Sequence, residues 1–126
     1  MNTTLDVDRF CISISNYIDK EVAPQYDGLL AFGVRMFSNV LNRNGINIIN
    51  HFSSILKACK LMTSDDKIDI DEFSAVASAT FDQIGKISIG GLSYSKKDLD
   101  RLIEIMKSYI PPNNSVSSLN NGSTPK

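Results

Sequence analysis

The sequence predicts a mainly α protein: about five helices packed as a small bundle, with one β-hairpin and a third short strand before the last helix. Three observations carry that expectation. Apolar residues recur at three- and four-residue steps over most of the chain, the period of one helix face. Clean twofold alternation is clearest around Gly90-Gly91. Helix-stop signals at Pro24, Asn42 to Gly45, Gly85 and Pro111-Pro112 divide the periodic stretches.

The first helix is expected over 5–22, with Val7, Phe10, Cys11, Ile14, Ile18 and Val22 on one face. Thr3, Thr4 or Asp6 supplies its cap, and Pro24 ends it by disfavouring helix in the preceding residue. A second helix follows over 26–42. Its apolar residues Leu29, Leu30, Phe32, Val34, Met36, Phe37, Val40 and Leu41 run most of the way round the cylinder. Such a helix is either central to the bundle or buried at a subunit contact. Asn42-Arg43-Asn44-Gly45 reads as a stop, with Gly45 as a left-handed cap. A third helix is expected over 46–62, with Ile48, Phe52, Ile55, Cys59 and Met62 as a packing seam.

Ile68 and Ile70 alternate with Asp69 and Asp71, a very short strand that could join the hairpin. Asp69 or Asp71 caps a fourth helix over 71–84, whose apolar side is Phe73, Val76, Ala77, Phe81 and Ile84. Gly85 closes it. Lys86 to Ile89 and Leu92 to Ser95 alternate about Gly90-Gly91 as a hairpin over 86–95. An isolated hairpin is marginal in water, so Ile87, Ile89, Leu92 and Tyr94 should pack on helices. Ser95 and Asp98 fit a capping box that opens the last helix, 95–110. Residues 1–111 read as a single helical domain and 112–126 as a disordered tail rich in Asn, Ser, Gly and Pro.

Hydrophobic residues make up 42% of the 126 and charged ones 21%, an ordinary globular balance. The net charge of −1 gives no global field for nucleic acid or an anionic membrane, and neither is expected as a partner. The cations Lys86, Lys96, Lys97, Arg101 and Lys107 are interleaved with Asp98, Asp100 and Glu104, which reads as a solvated face. No basic segment followed by an apolar run opens the chain, and no apolar run reaches the ~18 residues of a bilayer span. A cytoplasmic location is therefore expected, with Cys11 and Cys59 as buried free thiols on apolar helix faces.

The stretch Asp65-Asp66-Lys67-Ile68-Asp69-Ile70-Asp71-Glu72-Phe73 resembles the second half of an EF-hand calcium loop and its exiting helix. The resemblance matches Ile68 to the apolar residue that pairs two loops, Glu72 to the closing glutamate and Phe73 to the aromatic that follows. It implies Asp65, Asp69 and Glu72 as candidate metal ligands. Leu61 and Thr63 fall where the first two ligands belong, and Asp66 falls on the glycine of the sharp turn. His51 has no Cys or His at zinc-site spacing, since Cys59 lies two helical turns away. Gly90-Gly91 lacks the Lys-Ser/Thr of a phosphate loop. No catalytic residue, cofactor or metal is assigned.

The function expected on these grounds is a non-catalytic protein–protein interaction or assembly role, the work of a small accessory protein such as one of viral or mobile-element origin. Leu29, Phe32, Met36 and Val40 are the interaction candidates, for an unidentified protein partner or a homodimer. The alternatives are a degenerate EF-hand-like calcium-binding protein and a small enzyme with an unrecognised site.

Overall fold

The computed structural model describes residues 3–111, so the expected tail at 112–126 lies outside the described residues. It is mainly helical, with five α-helices and two small antiparallel sheets. The described residues begin with a strand where a helix is expected. β1 (Thr4–Asp6) pairs antiparallel with β2 (Lys67–Asp69), with Leu5 opposite Ile68. The two side chains share one face of the ladder and are 1% and 3% exposed, so burying Leu5 holds the first residues extended. α1 (Val7–Tyr17) begins directly after, with Asp6 at the cap position but no side-chain cap bond. Asp6 is taken by Lys67, 2.6 Å away.

The helical path continues as a π turn (Ile18–Val22) and a 3₁₀ turn (Ala23–Gln25) that contains Pro24. Arg101 of the last helix grips Glu21 of the π turn through Nε and Nη2, at 2.9 and 2.8 Å. That pairing holds the Glu21 carboxyl below its ordinary value.

The largest departure from expectation is α2 (Gly28–His51), one helix of 24 residues, about 36 Å long, running straight through Asn42 to Gly45. Gly45 is no left-handed cap. It is buried in the helix, and its missing Cβ makes room for Cys11, whose Sγ would lie 2.5 Å from a Cβ placed there. One turn further along α1 and two turns back along α2, Ser15 and Ser38 share a hydroxyl hydrogen bond of 2.8 Å. α1 and α2 therefore meet through small residues, and that contact overrides the local stop signal.

The real break falls at Phe52, and α3 (Ser53–Ala58) is short. Lys60 turns left-handed at φ +64°, and Leu61 and Met62 donate back to the Leu56 carbonyl. The expected seam dissolves accordingly. Met62 is buried and bridges to Ile68, whereas Ile48, Phe52, Ile55 and Cys59 are exposed. Cys59 is thus not the buried thiol expected from periodicity; Cys11 is.

α4 (Ile70–Ile84) is capped by Asp69, which accepts from the Glu72 N–H at 3.1 Å, and ends at Gly85 with φ +81°. β3 (Lys86–Ile89) and β4 (Leu92–Ser95) form the hairpin, with Ile89 opposite Leu92. β2 pairs with β1 and not with this hairpin, so the third strand belongs to a separate sheet. α5 (Lys96–Ser108) opens with Asp98 accepting from the Ser95 N–H at 2.9 Å. Leu99, Ile103 and Met106 of α5 close the core over Val7, Phe10 and Cys11 of α1 and Ile70 and Phe81 of α4. α2 gives that core no fully buried apolar side chain; its buried residues are Ser38 and Gly45.

Candidate functional site

α2 has two faces of opposite use. Leu30, Ala31, Val34, Ser38, Leu41, Gly45 and Ile49 turn inward, half-buried or buried. Leu29, Phe32, Met36 and Val40, at positions i, i+3, i+7 and i+11, form a row pointing away from the bundle. Their exposures are 86%, 61%, 46% and 45%. The sequence left two explanations for the apolar circumference of this helix, a central position or a covered surface. Within the described chain the helix is peripheral, because nothing there covers this row. Phe37 beside it is exposed as well. Val76 and Ile84 of α4 and Ile89 of the hairpin, expected to pack, are also outside the core.

Two grooves flank the row. On the hairpin side lies an apolar cavity of about 500 Å³, walled by Leu29, Val34 and Phe37 of α2, Ile18 and Val22 of the π turn, and Ile89 and Leu92 of the hairpin. Gly33 leaves its α2 wall open. The hairpin is held against α2 at Gly91, where a Cβ would stand 3.1 Å from Leu30 Cδ2, and the Ser93 N–H donates to the Tyr26 hydroxyl at 3.3 Å. Tyr17 and Tyr94 line the same cavity, and both hydroxyls donate to the Asp98 carbonyl at 3.2 Å. Burial pushes both phenols above their ordinary value. This arrangement keeps them neutral hydrogen-bond donors.

The groove on the other side, about 480 Å³, is more polar: Phe32 and Met36 stand with Arg35, Asn39 and Asn42 over Ser15, Asp19 and Ser38. Between residues 28 and 64 there is no Asp or Glu, while Arg35, Arg43, Lys57 and Lys60 are all present. Lys57 is paired with Asp66 at 2.6 Å. Arg35 and Arg43 are exposed and make no hydrogen bond or ion pair among the described residues. This acid-free stretch was visible in the sequence, and it marks a feature that periodicity alone missed.

The calcium-like loop is also built, in part. Asp66, at the glycine position of the resemblance, adopts φ +66°, which a short polar side chain tolerates. Ile68 sits in the β1–β2 ladder, as a loop-pairing residue would. The candidate ligands have local employment instead of a common centre. Asp65 takes the Thr63 hydroxyl, Asp69 caps α4, and Glu72 is exposed on its first turn. Among the described residues no three His, Cys, Asp or Glu side chains gather where they could hold a metal ion. His51 stacks edge-on against Phe52, ring centroids 5.1 Å apart, at the end of α2. Burial, with Asp8 nearby, pushes the Cys11 thiol up, away from thiolate chemistry.

No helix among the described residues is long and apolar enough to cross a membrane. The chain matches no family model, no curated protein and no solved structure.

Proposed function

We propose that this chain is a non-catalytic protein–protein interaction or assembly module that makes contact through the outer face of α2. The observation that carries the reading is the uncovered row Leu29, Phe32, Met36 and Val40 on the longest helix of the fold. Soluble proteins rarely leave a contiguous apolar patch of this kind without a partner for it. The row is a rigid element pinned to α1 by Ser15–Ser38 and Cys11–Gly45, and preorganised surfaces bind at lower entropic cost. The test is affinity capture from the native host with the wild-type chain and with Phe32→Glu and Met36→Glu, alongside sedimentation equilibrium of all three. Partners or self-association present in wild type and lost in both variants, with the helical signal intact, are the expected result. A monomer whose captured proteins do not change between wild type and variants would remove α2 from the function.

A further inference from the structure

The occupant of this face can be narrowed by its charge. Resting on the reading above, we propose that α2 receives an acidic amphipathic helix of a partner protein, its apolar stripe on Phe32, Met36 and Val40 and its carboxylates on Arg35 and Arg43.

Three features point to that chemistry. The first is the form of the row. Residues at i, i+3, i+7 and i+11 make a straight ridge about 16 Å long, flanked by a groove on each side, and a second helix packs on such a surface ridge into groove. The second is the backbone. The N–H and C=O groups along the middle of α2 are spent within the helix, so an extended peptide would gain no main-chain bonds there. A helix arrives with its own satisfied. The third is the charge. Arg35 flanks the apolar row and Arg43 continues it one turn beyond Val40; they stand eight residues apart, about 12 Å along the axis, and without partners among the described residues. Carboxylates two turns apart on an opposing helix would meet both.

The same charges argue against a second copy of this chain. A two-fold α2–α2 contact centred near Asn39 sets Arg35 against the other copy's Arg43, and one centred near Arg35 sets that residue against itself. No Asp or Glu between 28 and 64 offsets either arrangement. Among the described residues Asp19 is the one carboxylate lining the Arg35 groove.

The test is selection of a displayed library of random helical peptides on the full chain, with counter-selection on Phe32→Glu. Enriched peptides should carry apolar residues at i, i+3 or i+4, and i+7, flanked by Asp or Glu. Binding of a synthesised winner should fall about tenfold in the double variant Arg35→Glu/Arg43→Glu, and that loss should shrink at high salt. Winners without acidic bias, or indifferent to the arginine changes, overturn the acidic helix while leaving α2 as the contact face. A concentration-dependent dimer abolished by Phe32→Glu puts a second copy there instead. Sedimentation with phosphatidylserine vesicles, lost in the same variant, puts a membrane surface there. No enrichment above the Phe32→Glu background, with a monomer at all concentrations, overturns the contact reading itself. Phe32→Ser, which removes the same exposed ring without adding a charge, replaces Phe32→Glu as the control wherever the latter fails to fold.

Discussion

Gly45 shows how one residue can carry two contradictory messages. In the local sequence Asn-Arg-Asn-Gly it signals the end of a helix. In the fold it is the contact point where α2 lies on Cys11. Alanine there would improve helix propensity by about 1 kcal/mol, but its Cβ would sit 2.5 Å from Sγ and 3.2 Å from both Cys11 Cβ and Leu41 Cδ1. Overpacking of that kind costs about 1–3 kcal/mol. Gly45→Ala is therefore expected to destabilise the protein in denaturant titration. Adding Cys11→Ala to it should cost less than the sum of the single changes, since it removes the clashing sulfur. A second residue-scale expectation concerns Tyr17 and Tyr94. Their folded-state pKa values are raised by burial, so the neutral phenols favour the folded state. That contribution is complete below the ordinary tyrosine pKa of about 10 and is lost as pH rises past it. Thermal melts across that range should show a steeper alkaline decline in wild type than in Tyr94→Phe.

At the scale of elements, legibility followed how local the cause was. The α4 cap, the Gly85 stop, the Gly-Gly hairpin and the opening of α5 are all made by neighbours in sequence, and all are where the sequence puts them. Removing the carboxylate in Asp98→Ala should cost about 1 kcal/mol by chemical denaturation, the usual worth of a cap. The boundary between α2 and α3 differs from the one local signals predict because it depends on contacts with α1 and on the fold-back of Leu61 and Met62. The outer face of α2 permits a sharper expectation. Phe32 and Met36 are 61% and 46% exposed, so Phe32→Glu and Met36→Glu should leave the melting temperature nearly unchanged. Ile103→Ala, in the core, should cost about 2–5 kcal/mol. A comparable loss in the α2 variants would place that row inside the structure after all.

Across the whole molecule, the β1–β2 ladder ties the start of the chain to its middle. Leu5 and Ile68 meet there, and the Ile70 N–H donates to the Thr3 carbonyl at 2.9 Å. Deleting residues 1–6 removes a buried leucine worth about 1.5–3 kcal/mol together with its ladder. A fall in melting temperature of roughly 10 °C or more is expected, and calorimetry would measure it. An unchanged transition would show that α1, α4 and α5 close the core without that tie.

The sequence by itself determined the fold class, the hairpin, the caps of α4 and α5 and the apolar circumference of α2. Each of these rests on period, turn chemistry or charge within a few residues. Only the tertiary structure decided which side of α2 is covered. Burial depends on what other elements bring to a surface, and Cys11, Ser15, Ser38 and Gly45 draw α1 against one side alone. The same holds for the calcium-like loop. Its residue types are legible in the chain, but whether Asp65, Asp69 and Glu72 converge is a question of side-chain direction. Hydrogen bonds to Thr63 and to the first turn of α4 occupy Asp65 and Asp69 separately.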